Sequence, residues 1–153
     1  MGFFGFVVAA RTADPDGLDA GLGPAFNTDD LGDGWQVFQA EGNGAAARLA
    51  RAVAQRTGAP ALAAYVLDSD CAILAAAAAG ETWQVAVRPE VLEDYGPPDE
   101  DDLLSGPEAV EALVAWAQAA GFDPDPAAVE EALDSDETFA EFAVAEVART
   151  LIG

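Results

Sequence analysis

The chain reads as an α+β protein. The expected architecture is an antiparallel sheet of about five strands in the order ββαβββ, with one packed helix, followed by a C-terminal subdomain of roughly three to four helices. Three observations predict this. Short runs rich in Val, Phe and Ala recur up to residue 88, each bounded by Gly, Pro or Asp-Ser turn chemistry. Beyond residue 88, apolar positions recur at helical spacing behind Pro and capping residues. Charge also divides unevenly along the chain: residues 1–76 hold nine acidic side chains and four Arg, for a net −5, whereas residues 77–153 hold 19 acidic side chains and two Arg, for −17. Residues 1–153 are long enough for a single domain with a real core, sheet-rich over about 1–88 and acidic and helical over about 89–153.

Phe3 to Ala10 is rich in Phe and Val and predicts a first strand. Residues 12–34 carry six Asp and five Gly without helical periodicity, which predicts a long acidic loop. Trp35 to Ala40 predicts the second strand. Asn43-Gly44 opens a helix running to about Thr57, stopped by Gly58 and Pro60, with Leu49 and Val53 facing the core. Arg48, Arg51 and Arg56 then fall on its wet face. Ala61 to Leu67 is apolar on both alternating faces, as a central strand requires. Asp68-Ser69-Asp70 supplies a turn, and Cys71 to Ala79 the next strand, because this alanine run is too short between its turn and Gly80 for a helix. Glu81 to Arg88 alternates cleanly, placing Trp83, Val85 and Val87 on one face.

Pro89 to Tyr95 predicts a short helix, and Gly96 to Asp102 an acidic linker. Ser105 with Glu108 fits a capping box for a helix whose apolar stripe is Val110, Leu113, Val114 and Ala117, with Gly121 as the stop. Asp125-Pro126 opens another helix through about Leu133. Thr138 with Glu141 fits a second capping box, with Phe139, Phe142, Val147 and Leu151 along a last helix.

Composition excludes much chemistry. The chain has no His and no Lys, against 28 acidic residues and six Arg. Ser-His-Asp triads, Cys-His pairs and His metal sites are therefore absent. Schiff-base lysines and phosphate loops ending in Gly-Lys-Ser/Thr are absent too. Carboxylate acid–base chemistry, oxygen-ligand metal binding and binding without catalysis remain. A net charge of −22 repels nucleic-acid phosphates and anionic lipid, so neither is an expected partner. The short apolar start lacks a signal peptide's basic region, and no apolar run reaches membrane-spanning length. With a single cysteine, Cys71, the expected location is cytoplasmic. Alanine and arginine richness without lysine fits a GC-rich bacterial source, and acidity also suits adaptation to salt.

Two groups of residues are candidates for function. Asp99, Glu100, Asp101 and Asp102 form a run that suits docking to a basic surface, or a solvated linker. Asp14, Asp16, Asp29, Asp30 and Asp33 gather hard oxygen ligands in a glycine-bearing segment. Their spacing departs from the EF-hand loop, since the closing glutamate position would be Phe38, and a solvated loop is the simpler reading. Asp68 and Asp70 are explained by turn formation. Cys71 lacks an electropositive neighbour in sequence and reads as a small buried hydrophobe. No cofactor is implied. The reading is a non-enzymatic acidic binding protein for a basic protein partner, one concrete form being the immunity partner of a basic bacterial toxin. The alternative is a carboxylate-dependent, metal-assisted hydrolase.

Overall fold

A computed structural model describes residues 2–15, 22–42, 44–78, 80–92, 103–135 and 139–152. Seven strands make one sheet: β1 (Gly5–Arg11), β2 (Phe26–Gly32), β3 (Trp35–Ala40), β4 (Ala61–Leu67), β5 (Cys71–Ala78), β6 (Glu81–Val87) and β7 (Leu103–Leu104). Their order across the sheet is β2-β3-β1-β4-β5-β6-β7. Every neighbouring pair is antiparallel except β6 with β7. The helices are α1 (Ala46–Thr57), α2 (Pro89–Leu92), α3 (Gly106–Ala119), α4 (Pro126–Leu133) and α5 (Ala140–Ile152). The α+β class is as expected, and the five expected strands are β1, β3, β4, β5 and β6.

Strand alternation sends side chains to two buried faces. On one face Phe6, Val8, Phe38, Ala61, Ala63, Ala75 and Ala77 meet Ala46, Leu49, Ala50 and Val53 of α1. The alanines form a low floor, so the helix sits directly over β4 and β5. Gly58 ends α1 in the left-handed region at φ 70°, and its N–H donates to the Ala54 carbonyl. Because β3 and β4 both flank β1 and both run antiparallel to it, they are parallel to each other. α1 is the crossover that this requires.

On the second face Val7, Trp35, Val37, Leu62, Leu74, Val85 and Val87 meet Leu113, Trp116, Val129, Val144, Val147 and Leu151. The helices expected as a C-terminal subdomain are therefore a layer on the sheet, sharing its core. Their apolar stripes require this cover, at about 1.5–3 kcal/mol for each Val or Leu fully buried. Trp116 lies at the centre, edge-on to Trp35 with ring centroids 5.9 Å apart, and its indole N–H donates to the Ala77 carbonyl at 3.1 Å.

Four expectations need correction. The acidic loop of 12–34 contains an edge strand, β2, joined to β3 by a two-residue turn at Asp33-Gly34 whose φ angles are 55° and 87°. Positive φ at both central residues is the type I′ geometry that Asp-Gly favours. The sheet has also gained β7, which pairs with Gln84 and Val85 at the opposite edge. Ser105 occupies the N-cap position of α3 with extended backbone but makes no side-chain capping bond, so the first capping box is not formed. Phe139 and Phe142 lie off the buried stripe of α5, which runs through Ala140, Ala143, Val144, Val147, Ala148 and Leu151; both rings are 44 % exposed. By contrast Asp125 caps α4 as its sequence suggests, accepting the Ala127 N–H at 3.1 Å.

Candidate functional site

The β4–β5 turn holds two adjacent residues in the left-handed region, Asp68 at φ 52° and Ser69 at φ 59°. Left-handed backbone costs a non-glycine residue about 1–2 kcal/mol. The Asp70 N–H closes the turn on the Leu67 carbonyl at 2.9 Å. Asp68 Oδ1 accepts the Gly2 N–H at 2.8 Å, so its carboxylate has a structural role. Ser69, only 5 % exposed, ties three segments together. Its N–H donates to the Phe3 carbonyl at 3.0 Å, and its carbonyl accepts the Ala140 N–H at 2.8 Å. Its hydroxyl oxygen accepts the Phe3 N–H at 2.7 Å and donates to Glu141 Oε2 at 2.9 Å.

Glu141 is the buried acid that results. It lies in the first turn of α5, where a negative side chain is favoured by the helix dipole, and it is 7 % exposed. Its second oxygen, Oε1, has no hydrogen-bond partner among the described residues. A buried unpaired polar atom calls for an explanation, because desolvation without a bond costs about 1–3 kcal/mol. Glu141 lines a cavity of about 80 Å³ between α5 and β1–β3, together with Val7, Asn27, Val37, Phe38, Gln39, Phe142, Ala145 and Arg149. Gln39 stands in register with Phe26 of the edge strand, and its Oε1 accepts the Asn27 Nδ2 hydrogen at 2.7 Å. Across the rim, Arg149 Nε donates to Asp29 Oδ2 at 3.1 Å, joining α5 to β2.

Exposed aromatic side chains occur on the N-terminal strip, on β2 and at the start of α5. Phe4, Phe26, Phe139 and Phe142 are the large apolar side chains left open to solvent among the described residues. Phe26 stacks edge-on to Phe3 at 5.8 Å, and Phe139 edge-on to Phe142 at 5.7 Å. The N-terminal strip bearing Phe3 and Phe4 and the start of α5 are both anchored on Ser69.

The residues singled out by sequence take other places. Asp14 is exposed in a local turn with Thr12. Asp29 is engaged by Arg149. Asp30 Oδ1 accepts the Gly32 N–H at 2.9 Å, and Asp33 turns the hairpin. Asp16 and the run Asp99, Glu100, Asp101 and Asp102 lie outside the described residues. Among those described, no three or more Asp, Glu or Cys side chains converge to hold a metal ion. Cys71 is fully buried beside Ala86, with Leu67, Ile73, Val91 and Leu103 packed around them. No helix of the described residues is long and apolar enough to cross a membrane. Sequence reading missed the burial of Glu141, which it paired with Thr138 in a capping box; Thr138 lies outside the described residues, and Glu141 accepts from Ser69, 72 positions away. Nor does similarity supply an identity: no protein-family model, curated protein or solved structure matches the chain.

Proposed function

We propose that the chain is a non-enzymatic binding protein that docks a basic protein partner. The immunity partner of a basic toxin is one concrete form. The observation that carries this reading is the opposite character of the two helical layers. α1 bears Arg48, Arg51 and Arg56 and no acid. The outer surface of α3, α4 and their connection bears exposed Glu108, Glu111, Asp123, Asp125, Glu130, Glu131 and Asp134. No basic residue stands between Arg88 and Arg149, a stretch that includes Asp99, Glu100, Asp101 and Asp102. Such a one-signed surface steers a cationic macromolecule toward that face and away from α1.

The test is affinity capture from extract of the source organism, with bound proteins identified and the binding then measured with the purified partner across a salt series. The expected partner is basic, and its association slows steeply as salt rises. Changing Glu108, Glu111, Glu130 and Glu131 to Gln should weaken association while the melting temperature stays within a few degrees. Changing Asp99, Glu100, Asp101 and Asp102 to Asn or Gln separates a docking run from a linker. Salt-independent binding, or a partner without basic character, would overturn the proposal. Calorimetric titration with Ca²⁺, Mg²⁺ and Mn²⁺ tests the metal-assisted hydrolase instead, which micromolar binding would favour.

A further inference from the structure

We propose that the cavity beneath α5 is the seat of a lysine side chain from the basic partner, its ammonium group bonding Glu141. This rests on the reading of the chain as a receptor for a basic protein and names the point of contact.

The chemistry is set by what lines the cavity. Glu141 is more than nine-tenths buried, with Oε1 unpartnered among the described residues. Gln39 Oε1 already accepts from Asn27 and retains a second lone pair. These are acceptors, so the missing partner is a donor. Among the described residues Arg149 is the one cation in the lining, but its Nε is held by Asp29 at 3.1 Å and its Nη1 lies 4.0 Å from Glu146. Asp29 alone matches its charge, so Glu141 stands in the lining without a cation of its own among the described residues.

Size and shape favour lysine. The cavity, of about 80 Å³, has room only for a small group. An ammonium group with its last methylenes fills a similar space, its compact head offering three donors. Val7, Val37, Ala145 and Phe142 supply apolar wall for the methylenes. The ring of Phe142 also lines this cavity. A charged donor on a buried carboxylate is among the stronger hydrogen bonds available.

The probe is n-butylammonium chloride, which carries the end of a lysine side chain, followed by amide chemical shifts of the full chain in 150 mM NaCl. Saturable shifts centred on residues 37–39 and 141–145 are expected. The neutral isostere n-butanol should bind about ten-fold or more weakly, because it cannot place a charged donor on the carboxylate. Glu141→Gln should reduce butylammonium affinity by a similar factor. The butanol comparison needs no variant, so the proposal stays testable if Glu141→Gln fails to fold. Absence of saturable shifts in this region, equal binding of butanol, or tighter binding of methylguanidinium than of butylammonium would each overturn the lysine assignment. The two readings fail separately. Butylammonium binding with no basic partner supports the site and sinks the receptor reading. A salt-sensitive basic partner that binds wild type and Glu141→Gln equally sinks the site alone.

Discussion

Replacing Ser69 by Ala tests the joint at which the N-terminal strip, the β4–β5 turn and α5 meet. The substitution keeps the backbone bonds to Phe3 and Ala140 and removes only the hydroxyl. Two interactions go with it: the donor to Glu141 Oε2 at 2.9 Å and the acceptor for the Phe3 N–H at 2.7 Å. A hydrogen bond to a charged group contributes about 1.5–3 kcal/mol and a neutral one about 0.5–1.5. The Phe3 contact is partly buried, so water replaces some of it. The expected loss is about 2–4 kcal/mol. Ser69→Gly removes the same hydroxyl but relieves a backbone held at φ 59°, a relief of about 1 kcal/mol or more. Glycine should therefore be the milder substitution, the reverse of the usual order at buried positions. Urea denaturation followed by tryptophan fluorescence measures both, with the comparison drawn from midpoints at unchanged slope. A Ser69→Ala loss below about 0.5 kcal/mol, or a glycine variant less stable than the alanine one, would refute the account of this joint.

Other expectations follow from the same structure. Crowded carboxylates on the α3–α4 surface repel one another, so the melting temperature should rise as NaCl goes from 10 mM to 500 mM, measured by calorimetry. Trp116→Phe withdraws the indole donor from the Ala77 carbonyl and opens a small void, and should cost about 1–3 kcal/mol by chemical denaturation. Trp83 is only partly buried at the start of β6, so Trp83→Ala should cost less than Trp116→Ala, which should reach about 3–5 kcal/mol. Gly34→Ala places a Cβ at φ 87° in the β2–β3 turn and should cost about 1–2 kcal/mol; an unchanged denaturation midpoint would mean that this hairpin is not held as described.

How much of this was legible in the sequence depends on whether an element's side chains do any burying. β4, with Leu62, Ala63, Ala64 and Val66 all buried, announces a sheet covered on both faces. The sequence reading set α3 to α5 apart as a subdomain, whereas they supply the cover for the second face. β2 left no such trace, because five of its first residues, Phe26 to Asp30, are exposed. It is held by the ladder to β3 and by Arg149 across the layers. Its one local signal was Asp33-Gly34, whose hairpin meaning was obscured by the surrounding aspartates. Those aspartates also suit an edge, where charge discourages pairing with another chain. The two residues of β7 are too few to carry any periodicity. At the candidate site, the exposed Phe142 looked apolar enough to be core. Glu141 looked like a cap because nothing local says that residue 69 will fold onto it.

The alanine floor beneath α1 inverts the usual pattern of mutational tolerance. In most cores the damaging changes are truncations, since large side chains fill the interior. Here Ala61, Ala63, Ala75 and Ala77 are 3 % exposed or less and have almost nothing to lose by truncation. Enlargement is the harmful direction: each added isopropyl group must lift a helix whose own contact residues, Ala46 and Ala50, are equally small. An overpacked site costs about 1–3 kcal/mol, so Ala63→Val or Ala75→Val should do more harm than many deletions of side-chain bulk elsewhere. The changes tolerated at these positions are thus those that add no bulk. The helix that carries half of the arginines stays fixed in height above the sheet by the smallness of what lies below it.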